Sequence, residues 1–106
     1  MENQLHQIIL NLLLNALENT VKGQQILVST FLTKESVNIS VKDTGRGIKA
    51  EEIKYIFDPF YSIKKKSGTG LGLFVCQGLV KNHNGEITVK SQEGRGSVFT
   101  IILPME

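Results

Sequence analysis

The chain has one cysteine, two prolines and no tryptophan among its 106 residues, and aromatic side chains make up only 7% of it. Each scarcity removes a class of explanation. A single cysteine, Cys76, excludes an internal disulfide and any zinc site built on several thiolates; lying in an apolar helical run, it reads as core. The cytoplasm fits such a chain. Charge of one sign is lacking too: 12 basic residues face 10 acidic ones, so no broad field draws nucleic acid or a membrane surface, and partner choice must rest on a local site. Long hydrophobic runs are also missing. The stretch from Ile8 to Leu17 is too short to span a bilayer and is broken by Asn11 and Asn15, and no leader segment is visible. No membrane contact is expected from this stretch of chain, although a parent protein anchored elsewhere is compatible with it.

At this length residues 1–106 form one domain, near the lower end of the common size range. Asn3 to about Val21 reads as a helix, with Gly23 beyond it as a stop. Gln25 to Leu32 and Val37 to Lys42 alternate as strands and are joined by a turn through Thr33-Lys34-Glu35-Ser36, so a hairpin is expected. Ala50 to Tyr55 can form a short helix that Pro59 ends, and the aromatics Phe57, Phe60 and Tyr61 around it suggest core. A basic loop, Ser62 to Lys66, follows. Thr69 to about His83 reads as the second long helix, with Leu71, Phe74, Val75, Leu79 and Val80 as its buried set and Asn84-Gly85 as its stop. Glu86 to Ser91 and Ser97 to Leu103 are the closing strands. This order predicts an α/β two-layer sandwich, a mixed sheet with helices on one face.

What the chain does have is glycine, 10 residues, much of it in two clusters. The strand Val37 to Lys42 runs straight into Asp43-Thr44-Gly45-Arg46-Gly47-Ile48, which delivers a carboxylate to a loop where glycines let a flat ligand approach and the acid can accept from an exocyclic amine. A solvated turn would account for Asp43 taken alone. The second cluster, Gly68-Thr69-Gly70-Leu71-Gly72-Leu73, opens a helix with poor helix formers, at a cost of about 1 kcal/mol each. Bare backbone N–H groups at a helix start suit phosphate. Leu73 stands where a dinucleotide fingerprint needs glycine, and no Gly-Lys-Ser/Thr follows, so neither common phosphate loop fits.

A third signal lies on the first helix, where Gln4, Gln7, Asn11, Asn15, Glu18 and Lys22 share a narrow polar sector flanked by Ile8 and Leu14. Such a stripe lines a cleft better than it lines bulk water. Asn11 and Asn15, one turn apart, offer neutral oxygens suited to a hard cation held with phosphate. His6 falls on the opposite side, as a packing or partner-facing residue.

Taken together, Asn11-Leu12-Leu13-Leu14-Asn15-Ala16, Asp43-Thr44-Gly45-Arg46-Gly47-Ile48, Phe57-Asp58-Pro59-Phe60 and Gly68-Thr69-Gly70-Leu71-Gly72-Leu73 resemble the N, G1, F and G2 boxes of bacterial sensor histidine kinases, in that family's order and across almost the whole chain. Ser62 to Lys66 resembles the short lid of the nitrogen-regulation and sporulation kinase branch. The resemblance implies a Bergerat-type ATP-binding fold shared with gyrase and chaperone ATPases, with ATP and Mg²⁺ as cofactors. It implies that Asp43 accepts from the adenine amino group, with Gly45, Gly47, Ile48, Phe57 and Phe60 around the base and Ser97 holding a water between base and acid. Asn15 would bind Mg²⁺, with Asn11 beside it on metal and phosphates. Gly68, Thr69, Gly70, Leu71, Gly72 and Leu73 would close on the triphosphate, with Lys64 as a counter-charge. Glu18 departs from the lysine many relatives carry.

The same resemblance implies transfer of the γ-phosphoryl group to a histidine on an upstream dimerisation domain, for relay to a response-regulator receiver domain, in a homodimeric parent. Neither His6 nor His83 has the neighbours of that acceptor, and the strand that usually opens this domain is not seen before the first helix, so a fragment of a longer kinase is expected. Rival readings are an ATPase of the gyrase, chaperone and mismatch-repair superfold and a non-catalytic nucleotide-binding module. Those ATPases carry a glutamate base one turn before the metal-binding asparagine, where this chain has Asn11, and an amide cannot take water's proton.

Overall fold

The computed structural model describes residues 2–59 and 72–105, with the backbone alone for Glu2 and Asn3. Phe60, Lys64, Gly68, Thr69, Gly70 and Leu71 from the readings above, and with them the basic loop, lie outside the described residues.

The described elements are α1 (Glu2–Asn19), β1 (Ile26–Leu32), β2 (Ser36–Asp43), a 3₁₀ turn (Ile53–Tyr55), α2 (Gly72–Asn82), β3 (Glu86–Gln92) and β4 (Gly96–Pro104). The strands form one sheet in the order β1-β2-β4-β3. The two-layer sandwich is as expected, but every described pairing is antiparallel rather than mixed. The reason is connectivity. Both hairpins pair antiparallel through short turns, and the crossover through α2 inserts β4, not β3, beside β2. Hydroxyls fix the first hairpin: Thr33 Oγ1 accepts from Ser36 N at 2.9 Å while Thr33 N donates to Ser36 O at 2.9 Å.

The inner face of the sheet is apolar in rows across the strands. Thr30, Ile39, Ile101 and Ile87 make one row, and Val28, Val41, Phe99 and Val89 the next. Against these rows pack Ile8, Leu12 and Ala16 of α1 and Leu73, Cys76 and Val80 of α2, all buried. Burying each of the Ile, Leu and Val side chains stabilises by about 1.5–3 kcal/mol. The helices run antiparallel, with Asn11 meeting Gly72, the Ile8 carbonyl meeting the Cys76 thiol, and Gln4 meeting His83. Cys76 is core, and burial pushes its thiol up to about 12.

Several expectations are corrected. Phe74 and Val75 are exposed, because the buried stripe of α2 runs through 73, 76 and 80, and 74 and 75 are rotated off it. Ala50 to Tyr55 forms turns and one 3₁₀ turn instead of a helix, closed by Tyr55 N to Glu52 O at 2.9 Å. His6 is exposed, which removes packing from its two readings. Leu10 and Leu17 of α1, Val21 just beyond it, and Leu27, Val28, Phe31 and Leu32 of β1 are also exposed. Among the described residues, no helix is long and apolar enough to cross a membrane.

Candidate functional site

One row beyond Val41 and Phe99, the inner face of the sheet turns polar. The register there aligns Ile26, Asp43, Ser97 and Ser91. Because side chains alternate at each strand step, this row faces the helices as the apolar rows do, but at the sheet's end. Asp43 and Ser97 are both 2% exposed. A buried carboxylate must be hydrogen-bonded, and Asp43 Oδ1 accepts from Gly45 N at 2.9 Å while the Ser97 backbone N–H donates to the same carboxyl group. Burial raises the Asp43 pKa above its ordinary 3.8, and the two N–H donors oppose that rise.

Ser91, absent from the sequence reading of the site, is its junction. Its Oγ accepts from Ile48 N at 2.8 Å, donates to the Gly96 carbonyl at 3.0 Å and lies 2.9 Å from Ser97 Oγ. Asn19 was missed as well. It ends α1 and holds the Asp43 loop twice, its carbonyl accepting from Arg46 N at 3.0 Å and its Oδ1 from Arg46 Nε at 2.8 Å. The signal was present, since Asn19 continues the four-residue spacing of Asn11 and Asn15.

The glycines answer a further demand beyond the one read in the sequence. A Cβ on Gly45 would sit 2.0 Å from Asn19 O, and one on Gly47, whose φ is +69°, would sit 2.1 Å from Gln92 O. One on Gly96 would meet Asp43 O at 2.0 Å. They also let three backbone crossings close against α1, β3 and β2. Ile48 is buried, and Phe57 packs edge-on against Phe99 with centroids 6.4 Å apart. Both, like Leu73, belong to the core beneath the site.

The asparagine stripe of α1 reaches the Asp43 loop through Asn19. Asn11 is buried, its Oδ1 accepting from Gln7 Nε2 at 3.1 Å and its Nδ2 donating to Gly72 O at 3.2 Å, so it ties α1 to the start of α2. Asn15 Nδ2 is buried with no hydrogen-bond partner. Leaving such a group unpaired costs about 1–3 kcal/mol, and a half-turn of the amide would put an oxygen in its place. Glu18 is half-buried on the same stripe. A groove of about 300 Å³ is lined by Lys42, Lys90 and Arg95 together with Asp43, Ser91 and Ser97.

Residues 1–106 match the family model described as histidine kinase-, DNA gyrase B- and HSP90-like ATPase. The chain belongs to that family. It is 46% identical over 105 residues to sporulation kinase C of Bacillus subtilis (strain 168), which covers 99% of this chain and 24% of that protein. Identity to sensor histidine kinase ZraS of Escherichia coli (strain K12) is 44% over 103 residues, 97% of this chain and 22% of the relative. Among solved structures, a nucleotide-free catalytic domain of histidine kinase ThkA superposes with a TM-score of 0.86 at 32% identity, covering 98% of this chain and 69% of that one. This family member thus spans about a quarter of the length of the curated relatives it matches. Its fold is the histidine kinase and gyrase-type ATPase fold, and ATP is the family's nucleotide.

Proposed function

We propose that this chain is the catalytic domain of a longer, two-component sensor histidine kinase, binding Mg-ATP and passing the γ-phosphoryl group to a histidine on another domain. In this reading the adenine amino group is read by Asp43 and Ser97, and the base lies against the Gly45–Ile48 loop with Phe57 and Phe60 behind it. Gly68 to Leu73 close on the phosphates beside Lys64, and Asn11 and Asn15 face them. Asn15, with one amide end unpartnered, would hold Mg²⁺ through its oxygen, and that ion would neutralise phosphate charge. Only positioning and electrostatics are asked of the protein, which suits a site made of amides and backbone N–H groups.

The observation that carries the kinase reading over a water-activating ATPase is Asn11. Position 11 lies one turn before Asn15, and both ends of its amide are engaged, by Gln7 and Gly72. An amide has no proton affinity to serve as general base. The partners of this reading are ATP, an upstream dimerisation domain carrying the phosphoacceptor, and a receiver domain, in a cytoplasmic part of a homodimeric parent that other segments could anchor to a membrane.

The test is incubation with γ-labelled ATP and Mg²⁺, alone and with a histidine-bearing helical-hairpin domain of a relative added in trans. Acid-labile label on the added domain, and none on this chain alone, is the expected result. His6 lies across α1 from the asparagine stripe and His83 follows the far end of α2 from the glycine cluster, bonded to Gln4 at 2.6 Å. Rapid phosphate release without any acceptor would replace the kinase reading with the hydrolase one.

A further inference from the structure

Three contacts converge on one hydroxyl, and their chemistry fixes where its proton goes. Ser91 Oγ has one hydrogen and two lone pairs. The Gly96 carbonyl can only accept, so the Ser91 proton is committed there at 3.0 Å. Ile48 N can only donate, and it fills one lone pair at 2.8 Å. The remaining contact, Ser91 Oγ to Ser97 Oγ at 2.9 Å, is then satisfied in one way: Ser97 donates. With its own proton spent on Ser91, the Ser97 hydroxyl keeps only lone pairs for the cleft. Beside it stands Asp43, a carboxylate already fed by two backbone N–H groups.

We propose that Ser91 is a specificity-determining positioning residue: by taking the Ser97 proton it makes the wall of the base pocket, Asp43 with Ser97, accept hydrogen bonds only. Such a wall welcomes an exocyclic amine and rejects a ring carbonyl at the same place, so selectivity for a 6-aminopurine over a 6-oxopurine is set in part by a residue that does not touch the base. This rests on the nucleotide reading above. It adds that selectivity depends on the direction of one hydrogen bond as well as on the charge of Asp43, and that the tie to Ile48 N keeps Ser91 in place.

Calorimetric titration of the chain with adenosine and inosine diphosphates, Mg²⁺ present, tests it through the ratio of the two affinities. In Ser91→Ala the freed Ser97 hydroxyl can turn and donate to the 6-oxo group, so the preference for the adenine nucleotide should fall about fivefold, the equivalent of one neutral hydrogen bond. Ser91→Thr, which keeps the hydroxyl, should hold the ratio. Ser91→Cys, near in size and a weak hydrogen-bonding partner, should lower it in the same direction and serves if the alanine variant does not fold. With Ser97→Ala as background, Ser91→Ala should no longer move the ratio. A merely structural Ser91 would weaken both nucleotides alike: an unchanged ratio in the alanine and cysteine variants, with the intact chain still preferring adenine, overturns the inference and leaves the nucleotide reading standing. Failure of the intact chain to bind either nucleotide overturns both.

Discussion

At the sheet end of the cleft, Asp43, Ser97, Ser91, Gly45 and Ile48 satisfy one another's hydrogen bonds in a buried row. At the helix end, Asn11 is fully engaged by its neighbours, but Asn15 keeps one buried amide end with nothing to bond. The contrast follows from what each end would meet. A flat base is recognised by fixed donors and acceptors, so its wall can be finished during folding, and rigidity there avoids an ordering cost on binding. In the proposed reading phosphate and metal would bring their own charge and ligands to the Asn15 end, where the unliganded fold bears the cost of one unpaired amide N–H group. Preorganisation then belongs, in this reading, to the Asp43 end of the site and incompleteness to the Asn15 end.

The largest expected effect comes from breaking the finished end outright. Gly45→Ala places a Cβ 2.0 Å from the Asn19 carbonyl, backbone against backbone, with no flexible side chain to give way. A loss of about 3 kcal/mol or more is expected, read as a drop in the urea midpoint at constant slope. A loss under about 1 kcal/mol would mean the crossing between α1 and the Asp43 loop can yield, and that the sheet end is less rigid than drawn.

Asp43→Asn comes next and separates recognition from scaffolding. Adenine affinity should fall by about 1.5–3 kcal/mol with loss of the preference over guanine, since a charged acceptor is gone; unequal ATP and GTP titrations in the variant would count against it. The same substitution has a pH signature. Burial holds the native pKa of Asp43 above 3.8, so the folded chain binds that proton more tightly than the unfolded one. Its contribution to stability therefore declines as pH rises from the unfolded value through the raised native one. Denaturation series from pH 4 to 7 should show that decline in the intact chain and not in Asp43→Asn.

Smallest in stability, and most telling for the open end, is Asn15→Ala. Because Asn15 Nδ2 is buried without a hydrogen-bond partner, removing it should leave the unfolding free energy unchanged or raised, by up to about 1–3 kcal/mol. The gain in ATP affinity that Mg²⁺ provides should disappear, while adenosine binds as before. An unchanged Mg²⁺ effect in titrations with and without the ion would take the metal away from Asn15.

How far the residues alone disclose this arrangement depends on the range over which each interaction acts. Both hairpins, the two helices and the placement of Asp43 at a strand end follow from local signals, and alternation and turn chemistry are local. Pairing direction is not: β4 rather than β3 lies beside β2, and nothing within either strand states which neighbour it takes. Phe74 and Val75 were misjudged because α2 is apolar nearly all round, so its buried face is set by the packing of Cys76 against Ile8. Ser91 looked like any strand serine, and its role exists only once Ile48, Gly96 and Ser97 converge on it. The family motifs mark the loop of Gly45 and Gly47, yet the atoms that require those glycines belong to Asn19 and Gln92, far along the chain.

Those crossings also set an order of events. Asn11 meets Gly72 across a separation of 61 residues, Ile48 meets Ser91 across 43, and Gly96 presses on Asp43. Contacts this distant carry a loop-closure cost before they return anything, which delays them relative to the hairpins. In the proposed reading the base wall beside Asp43 is completed only once β4 has paired with β2. Among the described elements β4 comes last in the sequence, so a chain cut short before Gly96 would lack the Gly96 and Ser97 contacts to Ser91 that close the row beside Asp43.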